Sequence, residues 1–224
     1  MPGSIKIDDG SGNYTILTNA GSLGSDKTIT IPNETGTAAL TSGVGLHKLY
    51  SVTASNQSSV DLLFANTGWT TANYHSFIIK GRWITPVTDN VRLYGAFYNG
   101  SSLNSGTYSA GQRYYRMDSA DSGYGQDNDT DFFDMLDGTY GTDTREGVQV
   151  NIEVFPSGDG TTNSSPSVAT FATVETVAKM SGASAYAVVS NVYFDSASAV
   201  NGFKFYNSSG NINTGHFDFY GVQR

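Results

Sequence analysis

Residues 118–147, DSADSGYGQDNDTDFFDMLDGTYGTDTREG, gather the side chains best equipped for chemistry. Nine of the twenty carboxylates fall between Asp118 and Glu146, with Arg145 the one base among them. Asp127-Asn128-Asp129-Thr130-Asp131 spaces three carboxylates as at the start of a calcium loop. An EF-hand then requires Gly at the sixth position, for a sharp turn, and Glu at the twelfth, as a bidentate ligand. Those positions hold Phe132 and Gly138, so that motif fails. A calcium loop of another kind, with Asp127, Asp129 and Asp131 as ligands, and a solvated acidic loop both stay open. Two neighbouring carboxylates are also what glycoside hydrolysis needs, although in so acidic a stretch such pairs arise without selection.

A third chemistry is recognition. Ten aromatic residues lie between Tyr94 and Tyr140. Tyrosine offers a broad contact at low rotamer cost, and Asp and Asn accept hydrogen bonds from sugar hydroxyls. Many of these rings must face a core, because side chains alternate along a strand. Tyr108, Tyr124 and Tyr140 fall in loop-like sequence and are expected to be exposed. With Asp127 and Asp129 they make up a candidate glycan-binding surface.

Signs of an enzyme are few. The chain has no Gly-x-Ser-x-Gly, P-loop or dinucleotide-binding glycine pattern. His47, His75 and His216 are widely spaced, each in a strand-like segment, and read as structural. With no cysteine there are no disulfides or thiolate metal sites. Trp69 and Trp83 read as core anchors. A net charge of −8 disfavours nucleic acid and anionic bilayers as partners. No run approaches the ~18 apolar residues of a membrane helix. The start, Met1-Pro2-Gly3-Ser4-Ile5, lacks the pattern of a signal peptide, so synthesis and residence in the cytoplasm are expected.

The elements that would position these groups are strands. Only 14% of the 224 residues are charged, and Gly, Ser, Thr, Asn, Tyr and Val are abundant, as pleated sheets with tight turns require. Val148, Val150, Ile152 and Val154 alternate with Gln149, Asn151 and Glu153. In the segment from Tyr74 to Ile84, Phe77, Ile79 and Trp83 are expected on one face, with Gly81 where a side chain would clash. Asn99-Gly100 is a hairpin signal. About ten strands with no clear helix indicate an all-β sandwich or jelly roll. Residues 1–45 differ: short apolar pairs sit between glycines and polar turns, too few to build a core alone. Ile5, Ile7, Ile16, Ile29 and Ile31 are expected to pack against sister copies. Ser42, Gly43 and Gly45 mark a hinge, dividing the chain into residues 1–45 and 46–224.

Two segments carry a resemblance. SDKTITIPNETGTAAL, residues 25–40, resembles a segment of bacteriophage tail-fibre and related virion proteins that lies between the particle-attached part and the distal domain. VNGFKFYNSSGNINTGHFDFYGVQR, residues 200–224, is similar to the last two strands of phage fibre-tip jelly rolls. Phe203, Phe205, Ser208-Ser209-Gly210-Asn211-Ile212, Gly215 and Phe219-Tyr220-Gly221-Val222 carry that match. Together they cover less than a fifth of the chain. The resemblance implies a virion component assembled in the host cytoplasm, a homotrimer with an adhesive or decorating tip. The expectation is therefore an all-β chain with a short N-terminal trimeric β stem and a C-terminal jelly-roll β-sandwich. It would be non-enzymatic, joined to other virion proteins through its stem and binding a host cell-surface polysaccharide through its tip. A purely structural capsid decoration or head-fibre protein is the alternative, and a capsule-degrading tip a further one.

Overall fold

The computed structural model describes residues 4–8, 14–18, 45–70, 73–99, 102–103, 107–129, 131–136, 138–156, 169–181, 184–196 and 199–223. The chain divides into two compact units, Met1–Leu40 and Thr41–Arg224.

In the first unit, β1 (Ser4–Asp8) and β2 (Tyr14–Thr18) form an antiparallel hairpin. Ile5 is opposite Leu17 and Lys6 opposite Ile16, so Ile16 is out of phase with Ile5 and Ile7 along the ladder. Ile29 and Ile31 lie outside the described residues.

Among the described residues the second unit is all-β apart from one helical turn. Its elements are β3 (Leu46–Gln57), β4 (Ser59–Leu63), α1 (Phe64–Thr67), β5 (Tyr74–Pro86), β6 (Leu93–Asn99), β7 (Ser102–Leu103), β8 (Thr107–Arg116), β9 (Ser122–Asp129), β10 (Phe133–Asp134), β11 (Gly147–Phe155), β12 (Thr170–Lys179), β13 (Ala185–Asp195), β14 (Gly202–Asn207) and β15 (Ile212–Gln223). The large sheet runs β3-β15-β5-β11-β12-β13-β8-β9; the small sheet runs β10-β6-β14-β4, with β7 on β6. All pairings are antiparallel.

Aromatic side chains join the two sheets. Phe97 of the small sheet meets Tyr108 and Phe194 of the large one, with centroids 5.9 and 5.3 Å apart. Phe205 on β14 meets Phe217 on β15 at 4.8 Å, so the chain's last two strands contribute one strand to each sheet and close the core between them. The expected alternation along β11 holds, with Val148, Val150, Ile152 and Val154 buried and Gln149 and Asn151 exposed. At Gly81 a Cβ would come within 2.8 Å of Val150 Cγ1 and 2.9 Å of Ile84 Cδ1, so only glycine lets these side chains close over the strand. The segment after Leu63 departs from a plain strand end. Phe64–Thr67 form a single helical turn that ends at Gly68 in the left-handed region (φ 74°). That turn seats Phe64 on Trp69, with centroids 4.3 Å apart.

Trp83 contradicts the sequence expectation. Trp69 is a core residue, its indole donating to the Ser76 carbonyl at 3.1 Å, but Trp83 is 67% exposed. A bulge is the cause. Val150 pairs with Gly81 and Val148 with Ile84, so Arg82 and Trp83 together oppose Gln149 alone. The extra residue turns the side chains out of phase and places Trp83 at φ 54°.

Candidate functional site on the outer face of the large sheet

The site arises from strand parity. On β8, Tyr108, Ala110 and Gln112 face the core, which turns Gly111, Arg113 and Tyr115 outward. The flanking ladders bring in the outward residues of two other strands: Tyr124 of β9 pairs with Arg113 and Gln126 with Gly111, while Val189 and Asn191 of β13 pair with Arg113 and Gly111. A Cβ on Gly111 would meet nothing within 4 Å, so the strand is bare there. The result is a hollow of about 530 Å³ floored by Gly111 and walled by Tyr115, Tyr124 and Val189, with Arg113, Gln126 and Asn191 supplying polar groups. Tyr124 is 87% exposed. The Arg113 guanidinium lies 5.1 Å from the Tyr115 ring centroid, which restrains both side chains.

Such a hollow combines a flat aromatic face with convergent amide and guanidinium groups. The axial C–H groups of a pyranose stack on the ring, and its hydroxyls find donors and acceptors beside it.

The structure corrects several sequence expectations. Tyr124 is exposed as expected, but Tyr108 and Tyr140 are fully buried. Tyr108 lies on the inward parity of β8, where its hydroxyl accepts the Phe97 N–H at 2.7 Å. Tyr140 bridges to Val91 and donates to Asn207 Oδ1 at 2.6 Å. Desolvation pushes both phenols well above the ordinary tyrosine range. Neither ring reaches a surface ligand. The acidic stretch is also more ordered than a solvated loop: residues 122–129 form β9, and Asp134 is buried against Arg92 at 2.7 Å. Asp129 Oδ1 accepts the N–H of Asp131 at 3.1 Å, a local turn contact. The Asp127 side chain lies outside the described residues. Among the described residues no three His, Asp or Glu side chains are grouped to hold a metal.

A second polar centre lies on the same face, on β3, β15 and β5. Asp218 is buried, accepting from Lys48 Nζ at 2.6 Å, Arg82 Nη2 at 2.6 Å and Ser51 Oγ at 2.7 Å, with His216 Nε2 at 3.0 Å. Burial alone would raise this carboxyl, but the hydrogen bonds from Lys48 and Ser51, with the charges of His216 and Lys48, hold it down at about 2. The network ties three strands together and orients Arg82 beside Trp83.

Sequence reading found Tyr124 but not its partners. Gly111, Arg113, Val189 and Asn191 carry no motif; only the β8–β13 pairing unites them.

No protein-family model, curated protein or solved structure matches this chain.

Proposed function

We infer that this chain is a non-enzymatic fibre protein of a bacteriophage particle, and that its large sheet binds a polysaccharide of the host surface. The observation that carries the binding half of this reading is the exposed Tyr124 ring over the bare floor at Gly111, with Arg113, Gln126 and Asn191 around it. A sugar fits those groups better than a protein partner does, because the hollow is small, half polar and faced by one free ring.

The virion half rests on the resemblance of residues 25–40 and 200–224, and two features support it. Two antiparallel sheets with non-sequential strand orders suit a jelly-roll tip. A hairpin of two five-residue strands is marginal alone in water, which favours a first unit packed against sister chains in a trimeric stem. Three tips on one stem would turn a weak site into a firm grip through avidity.

The test is retention of the labelled full chain on intact host cells, wild type beside Tyr124→Ala. Retention that the substitution abolishes supports the reading. Equal retention of both proteins refutes this site, and localisation to the capsid lattice without cell retention favours a decorating role.

A further inference from the structure

The Gly111 hollow is one end of a longer trough. Lys80, Asn151, Glu175, Val189, Arg113 and Tyr124 stand in direct register across six adjacent strands. At ~4.8 Å per strand the row spans about 24 Å. Beside it lie two more hollows, of about 360 and 380 Å³, which share Gln149 and Val177. The second of these reaches Trp83 and Lys179.

Two independent features mark this trough. The first is Trp83 itself. A bulky side chain in the left-handed region is strained, and an exposed indole gains little from burial. The fold nonetheless holds it: Thr214 Oγ1 donates to its carbonyl at 3.0 Å, and the Arg82 guanidinium lies 5.5 Å from its ring. The second is charge. In a chain of net charge −8, Lys80, Arg82, Arg113 and Lys179 take outward positions along the trough, with Arg145 at the hollow beside Trp83, against Glu153, Glu175 and, at that same hollow, Glu146. Asp218 at its far end is already paired to Lys48 and Arg82.

We propose that the trough binds an extended acidic polysaccharide, one that carries uronic acids or comparable carboxylates. The polymer lies across the strands, with one sugar on Tyr124, another on Trp83, and its carboxylates beside Lys80, Arg113 and Lys179. The proposal rests on the glycan-binding reading above and adds the ligand's charge and length. Neutral glycans lack the groups to meet these cations, and a short oligosaccharide reaches one ring but not both.

The test uses the full chain against immobilised capsular polysaccharides that contain uronic acids, each beside its carboxyl-reduced form. Folding of every variant is checked by thermal unfolding. The proposal expects binding of an acidic form, loss of binding on carboxyl reduction, and steep weakening as salt rises, since exposed charges are screened. The double variant Lys80→Gln/Lys179→Gln, both outside the Gly111 hollow, and the single variant Trp83→Asn each weaken binding roughly tenfold, while Lys204→Gln on the small sheet has no effect. Equal binding of the acidic and reduced forms overturns the proposal and leaves the glycan reading standing. Binding that Tyr124→Ala abolishes but the trough variants leave intact confines the ligand to the Gly111 hollow, and also overturns it. No binding of either form by the folded full chain overturns proposal and glycan reading together.

Discussion

The Arg82 guanidinium lies 5.5 Å from the centroid of the Trp83 ring, while its Nη2 donates to Asp218 Oδ2 at 2.6 Å. A buried carboxylate thus orients an arginine, and the arginine flanks a ring that the bulge in β5 turns out to solvent. Structure and site meet at this point of the large sheet.

Trp83→Asn separates the two roles. Asparagine visits the left-handed region readily, so the strain at φ 54° is relieved. The free energy of unfolding is expected to hold or to rise by up to about 1 kcal/mol, while polysaccharide binding falls. A clear loss of stability would make Trp83 a packing residue.

Gly111→Thr tests the floor of the hollow. A Cβ there meets nothing within 4 Å, and threonine suits a strand better than glycine. Stability in urea is expected to gain about 0.5–1 kcal/mol, with cell retention lost because the hollow is filled. Retention at the wild-type level would move the binding site elsewhere.

Asp218 sets an acid limit. Its carboxyl titrates at about 2 in the folded chain, against an ordinary value of 3.8. Its contribution is complete above the ordinary value. It is lost as pH falls through this window toward 2, because the unfolded chain takes up the proton first. Asp218→Asn should cost about 1–3 kcal/mol at neutral pH and flatten the fall in melting temperature between pH 4 and 2. An unchanged acid slope would assign that fall to other carboxylates.

Removal of residues 1–40 tests the stem. The remaining unit, Thr41–Arg224, holds the whole aromatic core between the two sheets. It is expected to unfold cooperatively near the temperature of the full chain, but to sediment with the mass of a single chain and, on the proposed virion reading, to dock poorly on particles. An assembly of several chains that persists after the removal would place any contacts between copies in the sandwich.

The sequence made the strands legible where one face meets a core. Val148 to Val154 alternate because β11 is central, and Phe203, Phe205, Phe217 and Phe219 mark the strands that close the sandwich. It failed where parity is decided by distant geometry. Nothing near Trp83 announces that two residues will oppose Gln149, and the shift turns an apparent core residue outward. Tyr108 looked like a loop residue because Ser, Gly and Thr surround it, yet β8 starts at Thr107 and turns that ring into the core. The hollow itself was beyond reading, since Val189 and Arg113, 76 positions apart in the chain, meet only through the β8–β13 pairing.

The most direct measurement is the equilibrium binding of the full chain to polysaccharide purified from the host surface, wild type beside Tyr124→Ala, with Lys204→Gln as the control on the small sheet. Saturable binding that weakens roughly tenfold in Tyr124→Ala and is unchanged in the control is the predicted result. Equal affinity of all three proteins, or no binding by the wild type, would contradict the account.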